Sequence, residues 1–338
     1  MKRTKTILVS TTAVVAAAGV GLAVLPAFAA DSKSGSTSAG AHAGHGAGTV
    51  VAQGAAASSK AKAWYFAASL NGANEVPVAG GPAVGDRDGQ ALQFVKVQGD
   101  KVSVAVKFRG VDTPSALHIH QGKRGANGGV KIDFTPLLSK IKYLDGWKGA
   151  VTGTVQVKDK ALLKAFVANP GDFYANLHTK QFPGGAVRAQ YHKVTRGFPF
   201  AKALDNFQAS VVKGQQIYEC KKDAATGGWS FQQRDVAAVL GGNIAHSFIA
   251  PNSGTPQWIA PDRSAVTGSL ISRTDNGAKN IPELDLKATQ SGKRTGLLAK
   301  SHEILRLNTV GGVAPKGSCA KGAIAKVAYG ADYVFIQK

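Results

Sequence analysis

Residues 115–122 read SALHIHQG, and residues 173–179 read FYANLHT. Both alternate with a period of two, the pattern of a half-buried β-strand. In the first, Leu117 and Ile119 fall on one face, His118 and His120 on the other. In the second, Phe173, Ala175 and Leu177 share one face, and Tyr174, Asn176 and His178 share the opposite one. Each strand has an apolar side for a core and a polar side carrying imidazole. Paired in one sheet, the two strands bring three histidines together outside the core.

The same texture extends outward. Residues 64–77, 89–111, 128–134, 147–157 and 185–194 are short alternating or β-branched runs. Turn material separates them, as at Gly80-Gly81-Pro82 and Pro183-Gly184-Gly185. Gln98-Gly99-Asp100-Lys101 reads as a tight hairpin. One helix is expected: Asp159 caps it, Ala161, Leu162, Ala165 and Phe166 give it an apolar side, and Asn169-Pro170-Gly171 ends it. Residues 63–194 are therefore expected to form an antiparallel β sandwich or barrel with one short helix. Residues 195–203, with Gly197 and Pro199, read as a linker. Residues 204–338 read as a second β-rich domain, with runs such as 208–222, 265–273, 301–310 and 325–338. No strong helix is visible there, although residues 235–240 have room for one helical turn. The fold class is mainly β in two domains.

The N-terminus reads as an export signal over residues 1–30. Lys2, Arg3 and Lys5 precede an uncharged, largely apolar run over residues 6–25, and Pro26-Ala27-Phe28-Ala29-Ala30 supplies small residues for cleavage after Ala29 or Ala30. The competing reading is an uncleaved anchor, because the run approaches spanning length. No later stretch is long and apolar enough to span a bilayer as a helix. Residues 31–62 are Ser, Gly and Ala with almost no large apolar side chain, the composition of a disordered tether. His42 and His45 within it are too sparse to make a metal tract.

The chain is strongly basic. Of its 41 Lys and Arg, three precede the cleavage site, so 38 remain against 20 acidic residues, a formal +18. On an exported protein this charge suits anionic wall polymers, anionic glycans or anionic lipid surfaces, or serves solubility alone. Export and the scatter of the basic residues exclude nucleic acid as the expected partner. The two cysteines, Cys220 and Cys319, pair most simply in an oxidising compartment, closing a loop of about a hundred residues worth ~4–5 kcal/mol by chain entropy. Two free buried thiols are the alternative.

These residues carry resemblances to known families. Leu70-Asn71-Gly72-Ala73-Asn74-Glu75-Val76-Pro77, Gly89-Gln90-Ala91, the His118–His120 strand, Asn176-Leu177-His178-Thr179, Phe182-Pro183-Gly184-Gly185 and Arg188 occur in order, and the span resembles a chordin-type (CHRD) domain. The resemblance implies an extracellular β-rich module and no settled chemistry. The same histidine layout is similar, more loosely, to copper/zinc superoxide dismutases, which implies His118, His120 and His178 as copper ligands. Counterparts of that family's bridging histidine, its other zinc ligands and its disulfide are missing from this span, so the resemblance does not carry the dismutase reaction with it. Residues 204–338 resemble a family of exported microbial proteins labelled as a domain of unknown function. The match rests on Gln216-Ile217-Tyr218-Glu219-Cys220, Trp229-Ser230-Phe231, His246, Trp258, Ile281-Pro282, residues 306–315, Cys319 and residues 329–335. It supports the Cys220–Cys319 pairing.

Imidazoles at i and i+2 on one strand, joined by a third from a neighbour, can hold zinc or copper at about 2 Å and leave a position open. The plainer reading is three histidines hydrogen-bonded along a polar sheet face. His192, on the expected polar face with Arg188 and Gln190, is a candidate fourth ligand or a solvated side chain. Glu75 and Arg188 either tie the first and last strands together or are unrelated surface charges. Other motifs fail: His302-Glu303-Ile304-Leu305-Arg306 lacks the final histidine of a zinc helix and reads as a strand, and Gly292-Lys293-Arg294-Thr295 is not a phosphate loop. Trp64, Trp147, Trp229 and Trp258 line a glycan groove or, spread this widely, belong to cores. Three functions follow as expectations: a non-enzymatic binding protein of the cell surface or wall, a copper or zinc metalloprotein on His118, His120 and His178 with redox activity open to it, or a structural spacer.

Overall fold

The computed structural model of the chain describes residues 61–338. The leader, nearly all of the tether, and His42 and His45 lie outside the described residues. The first half runs β1 (Ala63–Asn71), β2 (Gln90–Gln98), β3 (Lys101–Arg109), β4 (Pro114–Gln121), β5 (Val130–Asp133), β6 (Lys142–Leu144), β7 (Trp147–Gln156), α1 (Lys160–Ala168), β8 (Phe173–Thr179), β9 (Val187–Gln190) and β10 (His192–Val194). The strands form one antiparallel sheet in the order β5-β4-β8-β9-β1-β2-β3-β7-β6, with β10 added on β1. The expected sandwich or barrel is thus a single sheet curled into an open half-barrel.

The alternating apolar residues decide which side curls inward. Phe66, Val95, Val104, Val106, Leu117, Ile119, Ala175 and Leu177 are buried in one core. Helix α1 lies over that core. Its N-cap is Asp159, whose carboxylate accepts from the Leu162 N–H at 2.9 Å, as expected from sequence. Its buried face is Leu163 and Phe166 rather than one including Ala161, which is exposed. Phe166 is the anchor, packing on Phe66 and edge-on against Phe173 and Tyr191. The β2–β3 hairpin falls where expected, with Gly99 at φ +62° and Gln98 paired to Lys101.

The second half is a closed barrel of eight strands, each antiparallel to the next: β11 (Phe207–Lys222), β12 (Trp229–Leu240), β13 (Ile244–Phe248), β14 (Pro256–Ile259), β15 (Ala265–Thr274), β16 (Glu283–Gln290), β17 (Ser301–Gly311) and β18 (Ile324–Gln337), which returns to β11. Closure satisfies every edge. Residues 235–240 are strand, not a helical turn: Val236, Ala238 and Leu240 point into the core at a period of two and pair with β11. Cys220 on β11 is bonded to Cys319 across 99 residues.

Both halves belong to one compact unit. A shared apolar seam joins them: Ala67, Leu92, Phe94 and Ala105 from the sheet meet Leu305, Leu307, Val334 and Ile336 from the barrel, with Phe198 and Ala203 of the connection between. The stretch expected as a free linker is thus docked, and Phe200–Asp205 forms a 3₁₀ turn. Buried polar contacts fasten it. Lys107 Nζ donates to the carbonyls of Leu204 and Asn206, Ser69 Oγ donates to Asp332, and Thr195 and Arg196 donate backbone N–H groups to the Glu303 carboxylate at 2.7 Å.

Candidate metal centre

Strands β4 and β8 are neighbours, with Ala116 opposite His178, His118 opposite Asn176 and His120 opposite Tyr174. The register puts all three histidines on the face away from Leu117, Ile119, Ala175 and Leu177. That face, polar and outside the apolar core as the alternation suggested, is nonetheless covered. His118, His120 and His178 are 4%, 1% and 7% exposed, so the imidazoles are enclosed. Ring centroids lie 5.4 Å apart for His118–His120, 5.1 Å for His118–His178 and 5.9 Å for His120–His178. One nitrogen from each ring falls within 4.8 Å of the other two, a grouping that can hold a metal ion.

The opposite nitrogens decide the tautomers. His120 Nδ1 lies 2.9 Å from the Gly128 carbonyl, and His178 Nδ1 lies 3.0 Å from the Pro183 carbonyl. A carbonyl only accepts, so each Nδ1 carries a proton, which in the neutral tautomer leaves the lone pair on Nε2. His118 is turned the other way. Its Nε2 faces the Asp133 carboxylate at 3.4 Å and Thr135 Oγ1 at 3.2 Å, which places its lone pair on Nδ1. The donor set is then His118 Nδ1, His120 Nε2 and His178 Nε2, each ring held by an oxygen on its far side. Such outer partners fix ring orientation and ligand basicity in metal sites.

A second layer supports the first. The Tyr174 ring stacks on His120 at 4.8 Å and 7°, and Arg188 lies over the far face of Tyr174 at 3.4 Å. Arg188, 1% exposed, donates to Asn127 Oδ1 at 2.8 Å and to the Ala126 carbonyl at 2.7 Å, pinning the loop that presents Gly128. Gly128 passes so close to the chain that a Cβ there would overlap the Gln121 carbonyl. Burial pushes the Asp133 carboxyl up, but hydrogen bonds with His118 and Thr135 outweigh it and hold it at about 2. Burial pushes Glu75 up to about 8 despite the Arg188 charge and a hydrogen bond from Asn176. Glu75 is therefore largely neutral near pH 7, and the expected ionic tie with Arg188 is replaced by Arg188's bonds to the 123–127 loop.

The other sequence candidates separate. His192 is not a fourth ligand: its Nε2 faces Glu283 of the barrel at 3.3 Å, because Tyr191 turns into the core between β9 and β10. Trp64 and Trp147 lie beneath Lys and Arg side chains, and Trp258 is wholly buried inside the barrel. His302 and Glu303 sit on strand β17, as the failed zinc-helix motif implied, and bond to the connection between halves. Asp133 and Thr135, which face His118 Nε2, were not singled out from sequence. The signal for Asp133 was present, since Ile132 faces the core and a period of two turns Asp133 to the histidine side. Nothing in the residue types marks the Gly128 and Pro183 carbonyls.

Comparison with known families places this site within a recognisable module. Residues 66–191 match the family model of the CHRD domain, and all three histidines lie inside the match. Residues 236–337 match a family described as a protein of unknown function, DUF3455. That match starts within β12, so residues 216–220 and 229–231, which entered the resemblance from sequence, lie outside it. No curated protein and no solved structure matches the chain.

Proposed function

We propose that the chain is an exported binding protein whose CHRD-type half holds one late first-row transition-metal ion, copper before zinc. The ligands are His118 Nδ1, His120 Nε2 and His178 Nε2. The supporting observation is the enclosed triad itself: three imidazole nitrogens within 4.8 Å, with the second nitrogen of each ring set against an oxygen. Three neutral imidazoles suit copper and zinc, and copper binds such nitrogen sites more tightly. Three protein ligands leave a coordination position for an exogenous group. The leader read from residues 1–30 and the disulfide support export into an oxidising space, where thiols are paired.

The test is calorimetric titration of the metal-free full chain, without a histidine tag, with Cu²⁺ and Zn²⁺. One-to-one binding that disappears in His118→Ala and His178→Ala supports the reading. Binding no tighter than scattered surface histidines, and unaltered in those variants, retires it. The surplus of basic residues supports a second, coarser role, retention on anionic wall polymer, which should be released as salt is raised through about 0.15 M and above.

A further inference from the structure

The barrel half holds a cavity of about 770 Å³, open to solvent on one side. Closed barrels of eight strands have room for side chains or for one small ligand, and cavities of this size suit drug-sized molecules. Its wall is largely apolar and aromatic, with Val236, Phe248, Trp258, Leu286 and Tyr333 among the lining. His246 adds to this wall. Its ring stacks on Trp258 at 4.5 Å, its Nδ1 donates to the Gln257 carbonyl at 2.8 Å, and burial pushes it down to about 3, so it is neutral.

Against that wall stand donors in search of acceptors. Gln216 is 3% exposed and Trp258 is 0% exposed, and both line the cavity. Gln216 Nε2 and Trp258 Nε1 are buried donors with no hydrogen-bond partner. Leaving such groups unmade carries their full desolvation penalty, an arrangement a bound molecule would relieve. Arg306, on β17, lines the same cavity. Its Nε and Nη2 donate to the Pro282 carbonyl, at 3.2 and 2.7 Å, and the guanidinium also hydrogen-bonds the Tyr333 hydroxyl, whose titration burial pushes up; both partners are uncharged, so neither contact neutralises the guanidinium. Among the described residues lining the cavity the only carboxylate is Asp275, which is exposed.

We propose that the barrel is a second binding site, independent of the histidine centre, for a small amphiphilic organic acid. The apolar body lies against Val236, Phe248, Trp258 and Tyr333. The carboxylate is received by Arg306, and the donors of Gln216 and Trp258 take acceptor atoms of the same molecule. A neutral hydrocarbon would fill the cavity but leave the Gln216 and Trp258 donors unmet and the Arg306 charge without a counter-charge, and a cation would meet a guanidinium.

The experiment is calorimetric titration of the full chain with 1-naphthoate and with dodecanoate, each beside the alcohol of the same body. At least one acid should bind one-to-one and saturably, and more tightly than its alcohol. Arg306→Met should weaken it about tenfold or more, the size of one lost charge-assisted hydrogen bond. Gln216→Met and Trp258→Phe, which keep bulk and remove one donor each, should weaken it about threefold or more and carry the test if Arg306→Met does not fold. His118→Ala should bind the acid like the parent chain, which separates this site from the metal centre. The proposal is overturned if neither acid saturates, if the alcohol binds as tightly as the acid, or if folded variants bind undiminished.

Discussion

The guanidinium of Arg188 lies 3.4 Å from the centre of the Tyr174 ring, and the other face of that ring stacks on His120 at 4.8 Å. A residue on β9 thereby holds a histidine on β4 through an intervening ring on β8. The same guanidinium pins the loop whose Gly128 carbonyl orients His120. Arg188→Met keeps length and removes the charge and every donor. It should weaken metal binding by roughly 10–100-fold, the usual cost of an outer-shell partner, as read by titration on the folded variant.

Asp133 does for His118 what the Gly128 carbonyl does for His120. Asp133→Ala removes the charged one of the two oxygens facing His118 Nε2, leaving Thr135 Oγ1 alone to hold the ring and its tautomer. A loss of metal affinity in the same range, about 10–100-fold, is expected on the folded variant, together with a lower melting temperature, since hydrogen bonds from His118 and Thr135 stabilise the native carboxylate. Equal affinity in the variant would show that the His118 tautomer does not matter.

The joint between the halves should respond to pH. Glu303 is wholly buried beside Asp285, and burial first, then the Asp285 charge, pushes its carboxyl up to about 8. A carboxyl whose folded pKa lies above its unfolded value binds the extra proton in the folded state. Its contribution is therefore complete below the ordinary carboxylate range and is lost as pH rises through about 8. Glu75 has the same sign and the same range. His246, pushed down to about 3 by burial, works the other way only below its ordinary value of 6.5. Thermal stability should fall between about pH 6.5 and 8, and Glu303→Gln should flatten that slope. An unchanged slope in the variant contradicts the assignment.

The Cys220–Cys319 bridge closes a loop of 99 residues that spans most of the barrel. Replacing both residues with serine should lower stability by ~2–5 kcal/mol, measured by denaturant unfolding, because the unfolded barrel regains the entropy of an open loop. The acid site and the histidine centre should survive at temperatures where the variant stays folded.

Much of this was legible in the residues because alternation is a direct record of which side of a strand meets the core. Leu117 and Ile119 against His118 and His120 decided both the strand and the face that gathers the histidines, and Asp159 announced its helix by a side-chain cap. Alternation does not say what covers the polar face, so the burial of the three histidines beneath the Gly128 and Pro183 carbonyls had no sequence signal. Nor does it distinguish a curled open sheet from a sandwich, since both need one apolar side. Of the expected helix face, Leu162, Ala165 and Phe166 do pack on the core, while Ala161 is exposed and Leu163 is buried instead, a choice between two apolar residues that only packing makes. Residues 235–240 are too short to separate a turn from a strand until β11 pairs with them. The docking of 195–203 depends on acceptors more than a hundred residues away at Glu303.

The most direct test is X-ray absorption at the metal edge of the copper- and zinc-loaded full chain. The account predicts stoichiometric metal with three imidazole nitrogens at about 2 Å in its first shell, and loss of that imidazole signal in His178→Ala. A first shell dominated by oxygen, or an imidazole signal undiminished by His178→Ala, would contradict it.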